Sequence, residues 1–264
     1  MIAATWAARL APEPFRDFLP YASPSALQVI HAPQVLKRAL EVTQRFSQPS
    51  ERDRHAQALE ASLAAAGLSA DIGIVKEVPA QLDVAALDDV TRRSVGQRVL
   101  ALYFHLLHWS GPLFLDLRPR HLAWCAERRQ LLFRPSSLWC RPDAEFMGRL
   151  RALYTGFYQD DAAALEQGTE LYFWRSKPTA GFPQRIKQLL RAHFGPAEAD
   201  SVKFSIAHFR ATFDAIFKEA ASSGARLHPD LAFLGVELVG LYLTLESLGV
   251  PLDVRREFER AHGR

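Results

Sequence analysis

Cysteine is scarce in this chain: among 264 residues only Cys125 and Cys140 occur, and neither belongs to a CxxC or Cys/His spacing. That pattern indicates neither a zinc site nor a disulfide framework and fits a reducing cytosol. Glycine is thin where phosphate chemistry would want it. Ahead of Gly96 there are only Gly67 and Gly73, so no glycine-rich loop can cradle phosphates through its backbone amides. The opening MIAATWAARLAPEPF has no basic n-region and its apolar run is cut by Arg9, so it does not read as a signal peptide. No long apolar run is free of charge either. The longest, Leu231 to Val250, carries Glu237 and Glu246. A carboxylate at a bilayer centre costs about 2.5 kcal/mol or more, which favours a buried helix of a soluble bundle.

An excess of one charge is also missing. With 32 basic and 29 acidic residues the formal net charge is +3, so no nucleic-acid footprint is demanded. Arginines do cluster, as in Arg118, Arg120, Arg128 and Arg129, which is either a solvated face or a surface for anions or acidic headgroups. What the chain has in quantity is apolar residues, 48% of the total beside 23% charged. That is enough for a sizeable core in one large or two small domains.

Helical periodicity dominates. Leu27, Ile30, Val35, Leu36, Leu40 and Val42 recur at helical spacing, with Pro33 expected to kink or divide the run. Ser50 is a candidate N-cap for a helix ending near Gly67. DIGIVKEVP alternates and reads as a strand. From Leu87 a long apolar-faced helix leads into Gly111, where a left-handed turn is expected. LFLDL and QLLFRP flank the polar CAERR, which suggests two short strands around a turn. After Asp143 the spacing predicts helices over about 143–158, 160–174, 183–194, 201–222, 229–248 and 251–262, with SKPTAGFP as the most linker-like break.

Read without gaps, GPLFLDLRPRHLAW resembles the GFFHADPHPGNLLV loop of the UbiB (AarF) family of atypical kinase-like proteins, which is linked with ubiquinone and other isoprenoid-lipid pathways. Gly111, Asp116, Pro119 and Leu122 coincide. The stretch from Ile74 to Gly111 resembles the family's hinge segment and the helix that follows it, with Glu77 at the hinge glutamate. LRALYTGFYQDDAAALEQ and GARLHPDLAFLGVELVGLYLTLESLG resemble two further segments in the family's order. The resemblance spans about residues 72 to 175 and 205 to 255. It implies a mainly α fold, a kinase-like C-terminal lobe over 71–264 with a reduced, largely helical replacement for the N-lobe over 1–70. It also implies a hinge at Glu77 and Val78 able to hold adenine through its backbone.

The departures are concentrated where phosphoryl transfer needs its groups, a carboxylate for the acceptor and oxygen ligands for magnesium. Asp116 keeps the loop aspartate position. The asparagine position is His121, the first histidine of the motif is Phe114, and Arg118 is a further change. The DFG-like aspartate matches Arg134. Between Leu117 and Pro142 the only acid is Glu127. Neither Lys37, in a helical run, nor Lys76, in the hinge-like strand, sits where a phosphate-pairing lysine belongs.

Other constellations have plain readings beside functional ones. His105 and His108 share a helix face at i and i+3, as packing residues or as two ligands lacking a third. Trp109, Trp124, Trp139 and Trp174 are core or the lining of a lipid or quinone pocket. Asp160 and Asp161 start a helix. Asp116 either holds its loop by accepting backbone N–H bonds or retains acid–base work. The expectation is a non-catalytic pseudokinase that acts as a scaffold or a lipid- or isoprenoid-binding accessory protein. The alternative is an ATP-dependent kinase or ATPase with rearranged metal ligands. No cofactor is expected, and ATP with magnesium is disfavoured. Expected partners are an intact UbiB-type kinase or an isoprenoid lipid, not nucleic acid, in the cytoplasm and in peripheral contact with the inner membrane face.

Overall fold

Apolar residues at helical spacing do form helices over most of the chain. A computed structural model describes residues 13–23, 25–44, 49–173, 179–194 and 201–262. In chain order the first elements are α1 (Glu13–Arg16), α2 (Ala26–Val29), α3 (Ala32–Gln44), α4 (Pro49–Ala65), β1 (Ile72–Ile74) and α5 (Asp89–His108). The short strands β2 (Leu113–Phe114), β3 (Leu122–Cys125), β4 (Gln130–Phe133) and β5 (Trp139–Cys140) come next. Helices α6 (Ala144–Tyr158), α7 (Ala162–Thr169), α8 (Phe182–Phe194), α9 (Ile206–Ser222), α10 (Asp230–Leu248) and α11 (Val254–His262) complete the described chain. The protein is mainly α-helical. The opening residues 1–12, Trp174 and the first part of SKPTAGFP lie outside the described residues.

Local chemistry sets many of the helix boundaries. Asp88 caps α5 by accepting from the Thr91 amide at 2.7 Å, and Asp143 caps α6 through the Glu145 and Phe146 amides. Asp161 caps α7 in the same way at the Ala164 amide, while Asp160 before it takes a left-handed φ of 56° and pairs with Lys187. Pro33 stands in the first turn of α3, where its missing N–H is no loss, so it starts a helix after Ile30 rather than bending one. Helix α4 begins at Pro49, which puts Ser50 inside its first turn rather than at the cap, and Gly67 beyond it has φ 63°.

The chain forms two compact units of interleaved segments. The first holds residues 1–44, 142–198 and 207–236. Its tightest feature is the α6–α7 pair. A Cβ on Gly156 would overlap the backbone of Leu165, and one on Gly168 the backbone of Leu153, so two glycines let these helices touch. In the same unit the Asp230 carboxylate, 1% exposed, takes the Arg38 guanidinium at 2.7 Å and the Asp143 amide at 2.7 Å, joining α3, α6 and α10.

The second unit holds residues 45–141, 199–206 and 237–264. Here α5 packs on α11, with Phe104 edge-on to Phe258. Strands β1, β4 and β3 form a small sheet in that order, β1 parallel and β3 antiparallel to β4. Strand β2 pairs instead with β5. This corrects one expectation: QLLF does form a strand, but its hairpin partner is Leu122–Cys125, and LFLDL pairs with Trp139–Cys140. The alternating burial of QLLF suits either partner, so the pattern alone left the pairing open.

Gly111 is a second correction. Its φ is not among the positive ones; the constraint is steric, because a Cβ there would overlap the Trp109 ring, which stacks on Phe114. Helix α10 is long and apolar enough to cross a membrane by length and composition, and 67% of its most apolar window is buried.

Candidate functional site

The register of the β3–β4 hairpin is what assembles the site. Leu122 lies opposite Phe133, so His121, just before β3, and Arg134, just after β4, face one another across the ladder. The Arg134 amide donates to the His121 carbonyl at 2.9 Å. Asp116 enters from the other side, on the segment that leaves β2. That segment is fixed at both shoulders: Leu115 N–H donates to the Leu138 carbonyl at 2.9 Å, and the Leu117 carbonyl accepts from Thr244 Oγ1 at 2.6 Å. Gly240 of α10 lets the helix approach, since a Cβ there would stand 3.0 Å from the Leu117 nitrogen.

Asp116 is 2% exposed, and its carboxylate is surrounded by donors. Arg118 grips it in a fork, Nε to Oδ1 at 2.8 Å and Nη2 to Oδ2 at 2.7 Å, and its amide adds a bond to Oδ1 at 3.2 Å. Arg120 Nη2 reaches Oδ2 at 2.9 Å and His121 Nε2 reaches it at 3.1 Å. Burial by itself would push this carboxyl up. The hydrogen bonds from Arg118 and His121, together with the Arg118 charge, outweigh it and hold Asp116 well below the usual carboxylate range. The aspartate does hold its loop through a backbone N–H, and it holds two guanidinium groups as well.

The tautomer of His121 follows from its neighbours. Arg134 Nη2 lies 3.2 Å from Nδ1, and a guanidinium can only donate. Nδ1 is thus the acceptor, so Nε2 carries the proton that goes to Asp116. The 3.3 Å approach of Arg120 Nε to the same Nε2 is then a close contact rather than a hydrogen bond. The result is a relay from carboxylate to imidazole to guanidinium, in which the two outer groups carry opposite charges.

Four of the residues singled out in the sequence, Asp116, Arg118, His121 and Arg134, meet in this cluster. Phe114 does not join them: it is fully buried, stacked on Trp109 and edge-on to Phe133. Glu77 is exposed and Val78 half-buried just beyond β1. Lys37 on α3 and Lys76 are exposed. The arginine cluster divides: Arg118 and Arg120 close on Asp116, whereas Arg128 and Arg129 stand exposed in the hairpin turn. His105 Nε2 pairs with Ser62 Oγ at 3.0 Å. Trp139 packs on His55, Trp124 lies under the Arg98 guanidinium and Trp109 on Phe114, so these three are packing residues.

Sequence reasoning missed Arg120 as a partner of Asp116; its spacing of four residues across a proline-led turn was the available signal. It also named Glu237 only as a charge in an apolar run. Glu237 is completely buried on α10, one turn before Gly240, with neither carboxyl oxygen hydrogen-bonded, and burial pushes its pKa well up. Glu246, the other acid of that run, caps α9 by accepting from the Ile206 amide at 3.0 Å.

Magnesium is a poor fit to these side chains. Among the described residues of the cluster the carboxylate of Asp116 is taken up by the donors around it, and His121 and Arg134 offer an imidazole and a guanidinium in place of oxygen ligands. Comparison with protein-family models and with curated proteins returned no match.

Proposed function

We propose that this chain is a non-catalytic pseudokinase of the UbiB type, in which a kinase-like C-terminal lobe has become a binding scaffold or an isoprenoid-lipid accessory. The observation that carries the reading is the meeting of Asp116, His121 and Arg134. These are the residues aligned, from the loop resemblance and its continuation, with the three polar positions of a phosphoryl-transfer site, and the hairpin register brings them together. A chance likeness of the loop would not require residue 134, eighteen positions on from Asp116, to arrive beside residue 121.

The chemistry of the cluster argues against transfer. A carboxylate that must orient or deprotonate an acceptor needs a free lone pair, and Asp116 spends its own on Arg118, Arg120 and His121. Arg134 places a fixed cation where a metal-binding carboxylate would be required. Partners of this reading are an intact kinase of the same type or an isoprenoid lipid.

The test is thermal melting with millimolar ATP, with and without magnesium. Ligand at 100 times its dissociation constant adds about 2.7 kcal/mol of stability, several degrees for a chain of this size. No magnesium-dependent increment is expected. A clear rise that requires magnesium would favour the alternative, an ATP-dependent enzyme with rearranged ligands.

A further inference from the structure

A second cluster of buried charge gathers at the start of α10, within the first compact unit. The opening amides of a helix have no acceptor in their own helix. Here His228 supplies two: its carbonyl accepts from the Leu231 amide at 3.0 Å, and its ring Nδ1 accepts from the Asp230 amide at 3.2 Å. Nδ1 must keep its lone pair to do so, which makes the imidazole neutral with its proton on Nε2. The ring stacks on Phe146 of α6 with centroids 5.0 Å apart, and the side chain is 15% exposed, enough for a solvent proton to reach it. The Asp230 carboxylate meanwhile holds Arg38 of α3 and the Asp143 amide ahead of α6. Its Oδ2, which accepts from Asp143 at 2.7 Å, lies 3.6 Å from His228 Nδ1.

We infer that His228 is a proton-operated latch on the junction of α3, α6 and α10. Neutral, its Nδ1 takes the Asp230 amide and leaves the Asp230 carboxylate to Arg38 and Asp143. A solvent proton on Nδ1 ends the first bond and turns that nitrogen into a donor beside Oδ2, where it competes with the Asp143 amide. The charges that bear on the ring divide. Asp230 and Asp143 favour the imidazolium, whereas Arg38, Arg149 and the positive end of α10 oppose it. Arg149 is itself paired with Glu145 and Glu170. Burial is the largest influence and lowers the pKa of His228 from its ordinary value of 6.5. The contribution of the neutral latch is therefore full above that value and is lost as the pH falls from there through the folded value. Nothing in this device depends on the kinase-like reading.

Nuclear magnetic resonance of the full chain tests it, following the His228 ring and the exchange protection of the Asp230 and Asp143 amides from about pH 7.5 to about pH 4.5. In wild type the protection of both amides should fall roughly tenfold or more, with the same midpoint at which the His228 ring takes up its proton. His228→Asn places an amide oxygen where it can accept from the Asp230 amide but cannot titrate, so both amides should keep their protection across the range. Should that variant not fold, the wild-type midpoints alone decide. A ring that stays neutral throughout, protection that holds while His228 protonates or falls with a different midpoint, or an equal loss in His228→Asn would overturn the inference, because in each case the junction does not answer to this imidazole.

Discussion

Asp116 and Glu237 are both buried acids of one compact unit, and they have opposite fates. Asp116 is surrounded by donors and stays ionised. Replacing it with Asn keeps the shape but removes the negative charge that Arg118 and Arg120 grip, and breaking a buried pair in this way costs roughly 3–5 kcal/mol. Chemical denaturation of Asp116→Asn at pH 7 measures that loss. Because the folded carboxyl is held below its ordinary value of 3.8, its contribution is full above that pH and is lost as the pH falls below it. The difference between wild type and variant should therefore shrink on acidification. Glu237 has the reverse sign. Its raised pKa leaves its contribution full below the ordinary value of 4.5 and lost as the pH rises through the folded value. Glu237→Met, of similar length and with no polar atom to satisfy, should raise stability by about 1–3 kcal/mol near pH 8, with a smaller gain near pH 4.5. A variant less stable than wild type at both pH values would contradict the burial of an unbonded carboxyl.

Elements in this chain meet where glycine removes the side chain between them. Helices α6 and α7 are the clearest case: Gly156 faces the Leu165 backbone and Gly168 the Leu153 backbone. Either Gly→Ala change should cost about 1–3 kcal/mol by forcing the helices apart. Once apart, the second methyl finds room, so the double variant should lose less than the sum of the two singles, which denaturant melts of the four proteins resolve. The existence and kind of such elements were legible in the sequence, because α5, α6, α8, α9 and α10 carry long runs with helical spacing, and α5, α6 and α10 have acids at their starts. Their meetings were not. Glycines 156 and 168 look like ordinary interruptions in sequence, and QLLF could not declare whether it pairs with LFLDL or LAWC, since its own alternation satisfies either partner.

At the scale of the whole molecule, a mainly helical chain builds a five-residue constellation from a loop, a 3-10 turn and the end of a hairpin. Asp116, Arg118, His121 and Arg134 could be named from the sequence because a loop resemblance supplied their spacing. That Arg118 and Arg120 would seal Asp116, and that Arg134 would stand against His121, depended on side-chain directions that spacing does not carry. The central claim is that this constellation no longer transfers phosphoryl groups. Release of phosphate from ATP with magnesium, followed for wild type and Asp116→Asn side by side, tests it most directly. The account predicts turnover indistinguishable from the uncatalysed background in both proteins; turnover by wild type that Asp116→Asn abolishes while remaining folded would contradict it.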